Sequence, residues 1–292
     1  MVIAQLNLSK QKRGINAMSE IQINIKNLSL AYGDTTIIDS LNLAIPKGKI
    51  TVFIGRNGCG KSTLLQAMGR LIKPRTGSVF LDDRDILKMD SKEVAKELSI
   101  LPQSPIAPEG VTVEQLVKQG RYPYQSTFKQ WTQEDETTVN HALTVTNMEE
   151  LQNKHVNELS GGQRQRAWIA LNLTQNTDTL LLDEPTTYLD LSHQIEILDL
   201  LYEMNRKDNR TIVMVLHDIN LASRYADHLV AIKDQKVFIQ GVPEAIITSE
   251  NIERIYGLKC RIGFDSKFGT PICYPEGKGR NIKTNNGIYE LA

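Results

Sequence analysis

The chain has 292 residues, enough to bury a core without staples and short for two full-sized domains. Lys plus Arg total 34 and Asp plus Glu total 34, so the formal net charge is zero, which argues against broad nucleic-acid binding. Three cysteines (Cys59, Cys260, Cys273) offer no zinc spacing or disulfide framework, and no run nears the ~18 apolar residues of a membrane helix, so a reducing, cytoplasmic setting is expected.

Residues 1–20 are polar and patternless, as a disordered leader or as sequence upstream of a start at Met18. Ile21, Ile23 and Ile25 then alternate with polar residues, as in a half-buried strand. A second strand is expected over 36–45, closed by a turn at Pro46-Lys47-Gly48. Residues 50–54 (ITVFI) read as a strand buried on both faces, followed by glycines and a helix over 61–71. Residues 91–175 show helical periodicity, clearest over 110–120 and 133–147. Strand signals return at 179–183, 211–217 and 229–233, with helical patterns between them at 192–205 and 219–225. That alternation predicts βαβ units on a parallel sheet. Residues 251–275 read as a short helix and strand-like pieces, and 276–292 as a loose polar tail.

Residues 55–62 are Gly-Arg-Asn-Gly-Cys-Gly-Lys-Ser, the pattern G-x-x-x-x-G-K-S between a buried strand and a helix. Its glycines let backbone N–H groups close around phosphates, and the helix N-terminus adds unpaired donors. Lys61 is placed for the β- and γ-phosphates and Ser62 for Mg²⁺. The motif alone does not separate kinase, GTPase and ATPase.

Residues 180–185 (LLLDEP) carry two carboxylates to the C-terminal end of an apolar strand, where open α/β sheets bind ligands. Asp183 is expected to hold Mg²⁺, and Glu184 to polarise an attacking water. Upstream, Ser160-Gly161-Gly162-Gln163 opens a further helix. By geometry alone this is either a second anion-binding end or a plain capped start. Arg164 and Arg166 read as a solvated face, and His141, His155, His193 and His228 as structural.

LSGGQ at 159–163 resembles the signature of the ATP-binding-cassette ATPases. The other elements stand in that family's order: Tyr32 where an aromatic stacks on adenine, Gln103 where a glutamine links metal site to partner, Asp190 in the D-loop, and His217 as the switch histidine. The resemblance covers about 21–257. It implies a P-loop NTPase with a mixed sheet core, an N-terminal antiparallel β subdomain and an inserted helical lobe. The ATPase domain would span 21–257, with lobe and signature helix at about 91–175, and 258–292 would be a short extension. ATP and Mg²⁺ are the implied cofactors. Gly55 to Thr63 (including Arg56, Asn57, Gly58, Cys59 and Gly60) and Tyr32 would bind the nucleotide. Ser62, Gln103 and Asp183 would serve the metal, and Glu184, His217 and Gln103 catalysis. Two copies would meet head to tail, with Ser160, Gly161, Gly162 and Gln163 facing the partner chain's ATP. The remaining implied partners are an integral membrane permease and, indirectly, a substrate-binding protein, with no nucleic acid. The chain would sit peripherally on the cytoplasmic face of the inner membrane.

Residues 109–125 (EGVTVEQLVKQGRYPYQ), LDEPTTYLDLSHQ and LHDINLASRYADHL look similar to the ATPase subunits of iron(III)–siderophore importers, of ferric enterobactin and ferric dicitrate type. Vitamin B12 and haem importers are left open. Thr187-Tyr188-Leu189-Asp190 departs from the wider family's Ser-Ala-Leu-Asp, in a way common in the siderophore branch. A soluble nucleotide-gated interaction protein of the same superfamily is the alternative of another class. Intact Glu184 and His217 argue against it, and a P-loop kinase has no use for the signature.

Overall fold

The computed structural model describes residues 20–125, 131–187, 189–278, 282–285 and 288–291. All but the last residue of the expected leader, and Tyr188 of the expected D-loop, lie outside them.

The described residues open with β1 (Ile21–Tyr32) and β2 (Thr35–Pro46), an antiparallel hairpin with several bulges. Then come β3 (Ile50–Ile54), helix α1 (Lys61–Met68), β4 (Thr76–Leu81), β5 (Arg84–Asp85), α2 (Ser91–Glu97) and β6 (Leu98–Leu101). The helical region holds α3 (Val113–Lys118), α4 (Gln133–Val145) and α5 (Gly161–Thr174). Next come β7 (Thr179–Leu182), α6 (Leu191–Asp208), β8 (Thr211–Val215), α7 (Ile219–Tyr225), β9 (His228–Lys233) and β10 (Lys236–Gly241). The chain closes with α8 (Pro243–Ile246), α9 (Ser249–Tyr256) and two hairpins, β11 (Cys260–Phe264) with β12 (Pro271–Pro275), and β13 (Ile282–Asn285) with β14 (Ile288–Leu291).

The central sheet has the order β10-β9-β3-β8-β7-β6. Five strands are parallel and β10 returns antiparallel, so the sheet is mixed. A second, antiparallel sheet has the order β2-β1-β4-β5.

Alternation along the parallel strands divides the core into two layers. Ile50, Val52, Ile54, Leu180, Leu182, Ile212 and Met214 face α6, α7 and α9. Phe53, Leu181, Val213, Val215, Val230 and Ile232 face α1 and the antiparallel sheet. Burial on both faces is why these strands read as unbroken apolar runs. A third cluster, built on Val113, Leu116, Val139, Leu143 and Ala170, holds α3, α4 and α5 together. At about 1.5–3 kcal/mol per large apolar side chain, each layer can hold its own elements. Arg121 and Asp135 pair beneath that third cluster, with side chains 3% and 1% exposed.

Several boundaries differ from expectation. The stretch 91–175 is not wholly helical, because Leu98–Leu101 is the edge strand of the central sheet, parallel to β7. Four residues are too few to display a period. The helix expected over 110–120 starts at Val113, since Thr112 caps it reciprocally with Gln115, and Gly110 has φ 75°. It continues as a 3-10 turn over Gln119–Tyr124, where Pro123 lacks an N–H. The first helix stops at Met68 with Gly69 as its cap. The tail 276–292, expected as loose, carries the β13–β14 hairpin. Arg166, expected in solvent, is half-buried and paired with Glu196 of α6.

Candidate functional site

β3 ends at Ile54, and the loop 55–60 leads into α1. Gly55 has φ 141°, and a Cβ there would lie 2.3 Å from the carbonyl oxygen of Ile232, so the loop passes too close to β9 for any side chain. Gly60 takes a left-handed φ of 101° to turn the chain into the helix, against Ile37 and Ile38 of β2. Among the described residues, this loop and the strand ends opposite it line a cleft of 530 Å³.

Lys61 is 5% exposed, and its ammonium donates to the carbonyls of Gly55 (2.8 Å) and Arg56 (3.0 Å). Its charge is therefore held against the loop's inner rim. Asn57, Gly58, Gly60, Ser62 and Thr63 line the cleft with it. Gly55, Arg56 and Cys59 do not. Burial pushes the Cys59 thiol up, against the lowering charge of Lys61, so it stays a neutral packing group.

β7 delivers the two carboxylates to different places. Asp183 extends the ladder through N–H to Leu101 O and is 1% exposed. Its Oδ1 accepts from Ser62 Oγ at 2.8 Å, and its Oδ2 has no protein partner. Burial outweighs the Ser62 hydrogen bond and raises its pKa. An orphaned carboxylate oxygen beside a hydroxyl fits a hard divalent cation. Among the described residues no group of three or more His, Cys, Asp or Glu could hold a metal. A cation here would thus lean on Ser62, Asp183, water and phosphate oxygens, as Mg²⁺ does.

Glu184 adopts φ 53°, a left-handed backbone that costs a non-glycine residue about 1–3 kcal/mol. Glu184 lines the cleft, whereas Asp183 does not. Oε1 lies 2.6 Å from His217 Nε2, and Oε2 accepts from Gln103 Nε2 (2.8 Å) and Thr187 Oγ1 (2.9 Å). Burial raises the pKa of this carboxyl, but the bonds from His217, Thr187 and Gln103 outweigh it and hold the group below the ordinary value. The result is an ionised carboxylate fixed by three donors at the cleft wall. His217 stands on the loop beyond β8, rather than at its end.

The sequence pointed to Glu184 as the group that polarises water, but not to Thr187 as one of its donors. Thr187 reaches Glu184 only because the chain turns back over these residues, with Thr187 N–H donating to Glu184 O at 3.2 Å. Gln103 touches Glu184 rather than the Ser62–Asp183 pair.

Tyr32 does not line the cleft. It ends β1 with 53% exposure, and the hairpin it starts brings Ile37 to the cleft instead. Ser160 also lies outside. It caps α5 by accepting from Gln163 N–H (3.3 Å) while Gln163 Oε1 accepts from Ser160 N–H (3.1 Å). Gly161 lines a neighbouring 340 Å³ groove that shares Gln103, Glu184 and Thr187 with the cleft. Asp190 caps α6, and its Oδ1 also meets His193 Nδ1 at 2.7 Å. The His193 and Ser192 bonds hold its carboxyl at about 2.

The ABC transporter family profile matches residues 38–187. The chain is 62% identical over 260 residues to the Bacillus subtilis (strain 168) protein called "Probable siderophore transport system ATP-binding protein YusV", covering 89% of the chain and 94% of that relative. It is 49% identical over 253 residues to the ferric enterobactin transport ATP-binding protein FepC of Escherichia coli (strain K12), covering 87% and 93%. In structure it is similar to the dimeric ATP-binding cassette MJ0796 in a post-hydrolysis state with ADP and Pi, at TM-score 0.67 and 29% identity, covering 75% of this chain and 98% of that one.

Proposed function

The chain belongs to the ABC transporter ATPases, and from that premise we propose that it hydrolyses ATP to drive import of an iron(III)–siderophore complex through a separate membrane permease. The carrying observation is the Glu184 carboxylate, held by His217, Gln103 and Thr187 in the cleft that Lys61 and Ser62 of the phosphate loop also line. The siderophore class is supported by relatives of 62% and 49% identity whose names carry that substrate.

Lys61 and the first N–H groups of α1 neutralise and orient the phosphates. Glu184, already ionised, takes the proton of the attacking water. His217, Gln103 and Thr187 hold that carboxylate at the cleft wall, so Glu184's side-chain torsions are fixed in advance. Mg²⁺, bound by Ser62 and Asp183, would supply positive charge for the phosphate oxygens.

The start of α5 lies outside the chain's own cleft, and the related cassette is a dimer. Both favour a head-to-tail homodimer in which Ser160 to Gln163 close the partner's site. Tyr32, exposed at the hairpin end, is then free to stack on the adenine. No described helix is long and apolar enough to cross a membrane, which fits a peripheral subunit beneath a permease on the cytoplasmic face. The ATPase domain would run from 21 to 257, its helical lobe starting after Leu101, with an extension from 258.

The test is loss of the chain in its own cell. Uptake of iron-labelled siderophore should stop, and return with the wild-type chain but not with Glu184→Gln. Unchanged uptake in a strain with no second such ATPase overturns the substrate class.

A further inference from the structure

The segment that follows the central sheet is hydrogen-bonded at two places to elements that adjoin the cleft's lining, the start of the phosphate loop and the helix after His217. Tyr256 ends α9, and its hydroxyl accepts the N–H of Gly55 at 3.0 Å. Gly55 is the first residue of the phosphate loop, and its carbonyl accepts from Lys61. Without the tyrosine, this part-buried N–H at the end of β3 has no partner. Burial pushes the Tyr256 hydroxyl up to about 12, so it stays neutral.

The second contact is on α7. That helix is capped by Asp218, the residue after His217, whose carboxylate accepts from Asn220 and Leu221 N–H. The Asn220 side chain pairs with the backbone of Cys273 in β12, accepting its N–H (2.8 Å) and donating to its carbonyl (3.3 Å). Ser223 Oγ adds a bond to Pro271 O at 2.8 Å. An amide that pairs with a strand in this two-way fashion fixes both position and direction. The helix after His217 is thereby stitched to β12, as the loop before Lys61 is stitched to α9. Gly257, with φ 70°, ends α9 and turns the chain into β11, and Ile252, Ile255, Cys260 and Cys273 share one core with Leu221 and Ala222. The two stitches therefore belong to one packed unit.

We propose that the segment from α9 through β12 is a brace that sets the two walls of the cleft relative to each other, with Tyr256 as the positioning residue for the phosphate loop and Asn220 as the positioning residue for the His217 wall. This rests on the reading of the cleft as the ATP site. Neither residue faces the cleft, so each acts through what it holds. Tyr256 preorganises the loop before nucleotide arrives, so its loss falls on binding. Asn220 acts through His217 on the Glu184 carboxylate, so its loss falls on turnover.

The experiment uses the full chain with the permease, measuring ATP affinity, KM, kcat and melting temperature. Tyr256→Phe keeps the ring and removes one neutral hydrogen bond. It should weaken ATP binding and raise KM about 5-fold, with kcat held. Asn220→Asp keeps the acceptor and loses the donor. It should lower kcat about 5-fold or more, with ATP affinity held. If both variants lose melting temperature while KM and kcat stay at wild-type values, the contacts are structural and the brace is overturned. If Asn220→Asp does not fold, the split within Tyr256→Phe still decides: a kcat loss at constant KM contradicts the proposal. Lys61→Ala is the control. Retained ATP binding in that variant defeats the ATP-site reading itself, whereas lost binding beside a normal Tyr256→Phe defeats only the brace.

Discussion

Glu184→Gln separates binding from chemistry, and the structure sets the size of each effect. The amide keeps the shape of the carboxylate. Its oxygen can still accept from Gln103 and Thr187, the two donors that now meet Oε2 at 2.8 and 2.9 Å. Its nitrogen then faces His217, which satisfies it as an acceptor if the imidazole proton sits on Nδ1. Every contact in the wall thus survives, and stability should move by less than about 1 kcal/mol. The phosphate contacts also survive, because Lys61, Ser62 and Asp183 do not bond through Glu184. What goes is the ability to take a proton from water. Removing a general base costs about 10²- to 10⁴-fold, or about 3–5 kcal/mol of transition-state stabilisation. Steady-state hydrolysis with the permease should fall by that factor, while ATP affinity stays within about 3-fold of wild type. Size-exclusion chromatography with ATP and Mg²⁺ should show a trapped dimer. Hydrolysis within 10-fold of wild type, or ATP binding lost together with turnover, refutes the reasoning.

Three further outcomes can be checked. Gly55→Ala places a methyl 2.3 Å from Ile232 O at a φ of 141°, so the variant should lose more than about 2 kcal/mol in a denaturant titration, and near-wild-type stability would contradict the close approach. Ser62→Ala leaves both oxygens of Asp183 without a protein partner, so half-maximal hydrolysis should need at least ~10-fold more Mg²⁺, and an unchanged Mg²⁺ titration removes Ser62 from the metal site. In the helical lobe, burial raises the Asp135 pKa but the Arg121, Thr132 and Gln125 bonds outweigh it, holding the carboxyl at about 2 against an ordinary 3.8. A depressed carboxylate adds stability above pH 3.8, here about 2 kcal/mol, and loses it as pH falls through about 2. Asp135→Asn should therefore cost at least about 2 kcal/mol at pH 7, and the gap between wild type and variant should shrink between pH 4 and pH 2. A gap independent of pH in that window refutes the assignment.

The phosphate loop, the acid pair and the parallel strands were legible in the sequence because their physics is local. A strand buried on both faces must be apolar throughout, and ITVFI, TLLL and TIVMV are. A loop that passes 2.3 Å from a neighbouring carbonyl must be glycine, and Gly55 is. The edge strand at Leu98–Leu101 was not legible, because four residues show no period and their pairing partner lies beyond the whole helical lobe. The fixing of Glu184 was half legible. His217 and Gln103 stood in the family's order, but Thr187 was hidden in a turn whose geometry follows from a left-handed residue at 184.

By itself the sequence determined the chemistry available: a phosphate cradle, two carboxylates at a strand end, and a capped helix start that the chain's own cleft does not use. These follow from spacing within a few residues, where chain connectivity alone brings the groups together. Only the tertiary structure decided which carboxylate does what. Asp183 turns inward to Ser62, 121 positions away, and Glu184 turns outward to Gln103, 81 positions away. It also decided that Tyr256 holds Gly55 across 201 positions. Contacts of that reach leave no periodic or spacing signal, because packing rather than connectivity makes them.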